Sequence, residues 1–553
     1  MKRLHIVGFF SFLLAGFICI AMLQPSRNGG QYSWKVLQAV AAATQSPCPS
    51  YTALSPTVPV DMTPNNSQAN ANCFAWQEFI ALNWAGNVSN CSADTSAQGS
   101  TFGTPLDSTP KVWELYKQDT EIFLPGAAAP TAWCSQSEPV PAKFRSLSAA
   151  QLSSAVSPAG GHPKLLSATS KDADDPQVKL TQCAQAGASG PCGQSGWLTA
   201  QSGIMALYEI RVNKDEFSYI DSHGLYNAVT QQKFVQKPGI NLPDGTAQGS
   251  TGSIELKASW LELDDPAKWP YYKTSKAMVI YPGTTTPKLV TVGLVGLHII
   301  HKTPHSPQLI WATFEHVNNA PSITDISNKK LLSWYTFYNA ACNPQTDHYQ
   351  CAQNAQIAGY SPSSPYFPSY PSDPYSSPIQ VVRQNPLSSS TTDNIVAINS
   401  WAQGLIASAN PNSVFKNYEL VDVLWAQNPT PISPASPTPL PLGNPQPNPD
   451  AEIVANTTLE TYMQNTNTCL GCHIYAPIAS TSSANSHTNQ VHALLRRPEL
   501  PSGSRQKRMD EPLLSSFTNY ASDYSFLFSS AQMPSSRAAQ ALRMLKASGP
   551  QYK

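Results

Sequence analysis

The chain has 553 residues, enough for more than one domain at the usual roughly 100–200 residues each. Lys+Arg and Asp+Glu both number 34, so no basic surplus marks a nucleic-acid surface. Charged residues are 12% of the chain, about half the usual roughly 25%, while a 41% hydrophobic share rules out global disorder and allows a sizeable core.

Lys2 and Arg3 precede an apolar run from Ile6 to Leu23, the order of an export signal. The run is longer than most signal cores and close to the length that spans a bilayer. The first small-x-small sequence, around Ala39–Ala43, lies well downstream. Two readings of residues 1–24 therefore stand open: a cleaved signal peptide, or an inner-membrane tether through residues 6–23. Cys19 lacks the small residues of a lipid-attachment site, since Phe17 and Ile18 precede it.

Apart from Cys19 and the pair at 469 and 472, eight cysteines remain, an even number that in an exported chain suggests disulfides. Cys183 with Cys192 and Cys342 with Cys351 have the spacing of local staples. Cys48–Cys73 and Cys91–Cys134 are pairings by guess, because connectivity is not written in the sequence.

A Pro/Ser/Thr-rich stretch runs to about residue 70. NCFAWQEFIALNWA then places Phe74, Trp76, Phe79, Ile80, Leu82 and Trp84 as a helix packed on a core. Between about 200 and 430 come runs that read as strands: IMALYEIRV, SIELKASWLEL, AMVIYP, KLVTVGLVGLHIIHK, QLIWATFEHV and NYELVDVLW. They predict an α+β chain whose residues 45–427 form a large β-rich extracytoplasmic domain with helical decoration. A Pro/Tyr/Ser loop interrupts it at 360–378, and a Pro-rich stretch at 428–450 reads as a semi-rigid linker.

Alternate residues of a strand share a face. Glu255 and Lys257 therefore fall together, as do His298 and Lys302, while His301 takes the other face and Glu315 lies opposite His316. If these strands are neighbours, Glu255, Lys257, His298 and Glu315 converge on one polar surface. Such a group could carry out acid–base chemistry or bind a metal, with Tyr208, Glu209 and Arg211 close by. The plainer reading is a solvent-facing row of charges. His301-x-x-x-His305 lies beside Pro304 and reads as loop. No serine-hydrolase signature, phosphate loop or dinucleotide fingerprint is present.

The sharpest motif is Cys469-Leu-Gly-Cys472-His473. Two thiols at this spacing add across the vinyl groups of one haem c, and the adjacent imidazole ligates the iron. A zinc half-site would need a second ligand pair, and a thioredoxin-like pair would need a βαβ setting; neither is evident.

The surrounding sequence resembles a class I cytochrome c domain over 451–553. ANTTLETYMQN precedes the motif, with Asn456 or Thr457 as helix cap and Thr457-x-x-Glu460 as capping box. AQMPSS and SRAAQALRMLKAS follow it. The resemblance implies a small all-α, single-haem domain, with Met533 as the distal iron ligand and a C-terminal helix. His487, His492, Met509 and an open sixth position are the alternatives. YEIRVNKDEF, SIELKASW, VGLHIIHKTP and WATFEHVNN resemble a family of bacterial proteins that join such a large domain to a C-terminal haem motif; that resemblance implies no particular activity.

Three functions follow as expectations. The first is a periplasmic or membrane-anchored electron carrier with a redox partner protein. The second is an oxidoreductase whose large domain holds the substrate, with Glu255, His298 and Glu315 as catalytic candidates. The third is a haem-based sensor or binding protein.

Overall fold

The structure is a computed structural model. It describes residues 46–168, 197–355, 377–429, 440–481 and 520–535, apart from gaps at 63–66, 282–283, 344, 346–350, 391–392, 444, 449–452, 463, 466–467, 475 and 480. The apolar run at 6–23, Cys183, Cys192, His487, His492, Met509 and the expected last helix lie outside those residues. Among the described residues no helix is long and apolar enough to cross a membrane.

The six β-branched and aromatic runs, with two short pairs of other residues, form eight strands of one sheet: β1 (Lys117–Gln118), β2 (Leu165–Leu166), β3 (Ala206–Val212), β4 (Ile254–Glu262), β5 (Thr274–Val279), β6 (Lys288–Thr303), β7 (Ser306–His316) and β8 (Tyr418–Leu424). The order is β8-β7-β6-β4-β3-β1. The 16-residue β6 is long enough to serve two partners along one edge, β5 over its first half and β7 over its second. β2 pairs in parallel with β5, and a bridge from Ala168 to Tyr208 ties its end back to β3. The sheet thus curls on itself through β3, β4, β6, β5 and β2.

Alternation decides which side each residue covers. On the inner face Leu256, Ala258, Leu297, Ile299, Ala312, Phe314 and Leu420 share one core. Two 15-residue helices cover it, α1 (Gln68–Leu82) and, later in the chain, Ile395–Ala409. Ser67 caps α1 by accepting from the Asn70 N–H. The helix is buried nearly all round because it is wedged between the sheet and the second helix. Phe79 stacks on Phe314 with centroids 4.4 Å apart, and Trp76 donates its indole N–H to Asn399 at 2.9 Å. Asn399 in turn both donates to and accepts from the backbone of Leu420 in β8. Below β6, His301 and Glu78 form a fully buried pair.

The Cys48–Cys73, Cys91–Cys134 and Cys342–Cys351 disulfides are present. The β-rich part agrees with the sequence reading.

The small all-α C-terminal domain does not. No such domain appears among the described residues, which belong to one compact unit, Leu37–Lys553. After β8 the chain doubles back: Asn448 exchanges hydrogen bonds with Trp425, and Gln427 donates to Gln446. Where a helix was expected, residues 457–459, 461–462 and 464–465 form turns. Beyond them the described residues form the five-residue helix Cys469–His473 and a 3-10 helix at Phe526–Ser530. The physical reason is that the polar side chains here bond to the sheet. Asn456 donates its amide to Thr313 and to the Phe314 carbonyl, and Thr457 donates through both N–H and hydroxyl to Glu315. A helix would have pointed these groups elsewhere.

Candidate functional site

The outer face of the sheet carries the residues singled out from the sequence, and the strands bearing them are neighbours. Lys257 lies directly opposite His298 across β4 and β6, and Gly296 opposite Glu315 across β6 and β7. Glu255, Lys257 and Glu315 are buried, so the row does not face solvent. What covers it is the C-terminal segment.

Each of the three candidates bonds to a group from far along the chain. Glu255 accepts from the Ser525 hydroxyl at 2.6 Å. His298 Nε2 lies 2.8 Å from Glu460 Oε1. Glu315 Oε2 accepts from Thr457, while Oε1 meets Arg383, which also pairs with Glu419. Burial pushes the Glu460 carboxyl up, but His298, the Asn456 N–H and Lys257 outweigh it and hold it below the ordinary value. Tyr208 joins the same surface, donating its hydroxyl to the Thr458 carbonyl at 2.9 Å. Glu209 does not; it turns to the inner face, where it meets Lys164 and Trp260. Glu255, His298 and Glu315 therefore share one face of the sheet, where each fastens the C-terminal segment.

That segment holds the Cys-x-x-Cys-His motif. Leu470 inside it and Ile474 just after it pack with Val454 and Tyr524 against Ile300, Leu309, Trp311 and Leu424 of the sheet. Residues 476–478 pair with 520–522: Ile478 donates to Tyr520, and Ser522 to Ala476. This pairing carries Tyr524 back over the motif. There its carbonyl accepts from His473 Nδ1 at 2.6 Å. The imidazole sits beside two aromatic rings, Trp311 at 4.3 Å and Phe526 at 4.9 Å between centroids.

A proton fixed on Nδ1 by a carbonyl puts the imidazole lone pair on Nε2, the tautomer that an iron ligand needs. Cys469 is half-buried one helical turn before His473, outside the three disulfides. On these observations the residues fit the proximal side of a haem. Met533 is 42% exposed. Its neighbour Gln532 bonds by backbone to Tyr226 and Ala228, beside the helix Ala228–Phe234. No group of three or more His, Cys, Asp or Glu among the described residues is arranged to hold a metal ion on its own.

Beside the motif lies a buried acidic group with little charge compensation. Asp523 pairs with Lys302, and Glu216, from the helix Lys214–Ser222, interacts with both and with Glu255. Neither Glu216 oxygen has a hydrogen-bond partner in the protein. Burial, then Glu255 and Asp523, push the Glu216 carboxyl well above its ordinary value, with Lys302 only partly opposing.

Sequence reasoning missed Asn456, Glu460, Arg383, Tyr524 and Ser525 as parts of this surface. Only Thr457-x-x-Glu460 gave a signal, and the capping box does not form: Glu460 accepts from the Asn456 N–H at 2.8 Å, while the Thr457 N–H goes to Glu315. No protein family, curated protein or solved structure matches this chain.

Proposed function

We propose that the protein is an exported c-type haem protein that transfers electrons to or from a redox partner. Cys469 and Cys472 would hold one haem c as thioethers, and His473 would ligate its iron. The observation that carries the reading is His473 itself: it closes the Cys-x-x-Cys-His motif, and the Tyr524 carbonyl sets its tautomer for ligation. Bound there, the haem supplies a reversible one-electron couple. The chain's own part is to fix the imidazole between Trp311 and Phe526 and to anchor the motif on the sheet. Three disulfides support an oxidising compartment, such as the periplasm, where haem attachment to thiols also takes place.

Glu255, His298 and Glu315 are engaged in holding the C-terminal segment, which favours the carrier over an enzyme built on those three. Met533 is the proposed sixth ligand.

The test is expression of the whole chain in an export-competent host with haem-attachment machinery. The expected product is coloured, keeps its haem after denaturation, and has the mass of one added macrocycle. Cys469→Ala should lose one thioether and shift the reduced-state spectrum. A colourless product of unmodified mass sinks the proposal. Met533→Ala should abolish the ferric near-infrared thioether band; an unchanged spectrum removes Met533 from the iron.

A further inference from the structure

Away from the haem motif, a cavity of about 210 Å3 opens where the chain before β2 lies against β3 and β5. It is smaller than the roughly 300–1,000 Å3 of common ligand pockets, which limits an occupant to a small molecule. Its wall includes Lys164, Arg211, Lys276, His162, Glu114 and Trp269.

The charges behind that wall are unequal. Lys164 Nζ lies 2.7 Å from Glu209 and 3.3 Å from Glu114. Lys273 Nζ lies 2.9 Å from Glu114, and Arg211 Nε lies 2.9 Å from Glu209. Three buried cations thus share two buried carboxylates, leaving a surplus of one positive charge (three less two). Glu121 also faces Arg211, but it is paired with His162, whose two ring nitrogens both meet acceptors, Glu121 at 3.4 Å and the Ser135 carbonyl at 2.5 Å, the arrangement that suits a cationic imidazole. A fourth cation, the exposed Lys276, bonds to Thr291 at 2.8 Å.

An uncompensated buried charge costs several kcal/mol unless something neutralises it. Lys273 shows the effect: burial first, then Lys111 and Lys164, pull it down to about 8 despite Glu114. The donors to meet an anion are present. Arg211 is 4% exposed and gives Nη1 to the Tyr116 carbonyl at 2.7 Å. Arg211 is itself part of the cavity wall. Trp269 and the prolines Pro110 and Pro158 add apolar wall for a short carbon chain.

We propose that this cavity is a binding site for a small organic acid, with Arg211 and Lys164 receiving a carboxylate and Lys276 guarding the mouth. The planar guanidinium edge matches a carboxylate, and the cavity leaves no room for a polymer. The site is independent of the haem reading.

Isothermal titration of the full-length protein with succinate is the test, with its neutral diamide and inorganic phosphate as controls at equal ionic strength. Saturable succinate binding without diamide binding is expected. Lys276→Glu, at an exposed position, should weaken it about tenfold with Tm unchanged. Arg211→Gln should abolish it. The proposal fails if succinate gives no saturable heat, if phosphate binds as tightly as succinate, or if Lys276→Glu binds succinate like the parent protein.

Discussion

At the scale of single residues, the outer face depends on what is small as much as on what is charged. Gly296 sits in β6 opposite Glu315, and a Cβ placed there would lie 2.2 Å from the Thr458 hydroxyl. The turn at 456–458 can reach Glu315 and Thr313 only because that atom is missing. Gly296→Val should push the turn off the sheet and cost about 1–3 kcal/mol through overpacking. The measurements are thermal denaturation and limited proteolysis, with cleavage appearing between 450 and 470. An unchanged digestion pattern would show that the contact does not hold the segment. The strand phase of SIELKASW and GLVGLHIIHK put Glu255, Lys257 and His298 on one face from the sequence alone. Gly296 carried no such signal, because a glycine in a strand marks close approach without naming what approaches. The partners were equally hidden. Ser525 lies 270 positions from Glu255 and Thr457 lies 142 from Glu315, separations over which no periodicity operates.

At the scale of elements, the strands were legible and the turns were not. All six runs read as strands between 204 and 425 became strands, since pleated, half-buried surfaces select β-branched and aromatic side chains. The helix α1 was legible too, because its apolar positions repeat at helical spacing. The stretch at 456–465 was misread because Asn, Thr and Glu satisfy a helix cap and a sheet face equally well. The helix Lys214–Ser222 shows another cost invisible in sequence. Its acidic first turn suits the helix dipole, yet Glu216 of that turn is buried among Glu255, Asp523 and Lys302 without a hydrogen bond. A carboxyl raised in the folded state binds more protons there than in the unfolded chain. Its contribution is therefore most favourable below the unfolded value near 4.5 and is lost as pH rises through the folded one. Glu216→Gln removes that loss. The variant should gain about 1–3 kcal/mol over the parent at neutral pH, the scale of one unsatisfied buried group. Denaturant midpoints from pH 4 to 8 should slope less steeply in the variant; parallel slopes would show that Glu216 is ionised when folded.

At the scale of the whole molecule, the Pro-rich stretch at 428–450 would allow two domains to part only if the faces on either side of it were separately complete. They are not. Ile300, Trp311 and Leu424 of the sheet share a core with Val454, Leu470, Ile474 and Tyr524, and Val212, Phe217 and Ala228 share another with Ile478, Leu527 and Phe528. Removing the C-terminal segment would expose both apolar surfaces. It would also strip Glu255, Glu315 and Lys302 of Ser525, Thr457 and Asp523 in the same step. A chain ending at residue 450 should therefore be insoluble or should melt well below the full-length protein, since breaking one buried ion pair alone costs about 3–5 kcal/mol. The reciprocal fragment, 451–553, should show little ordered structure by circular dichroism before haem attachment. If the two pieces instead each unfold cooperatively, at midpoints matching two transitions of the intact chain, the sheet and the haem segment are separate folding units. On the proposed haem reading, the contact of His473 with Trp311 of β7 would put the iron ligand on the large sheet and not in a helical bundle of its own.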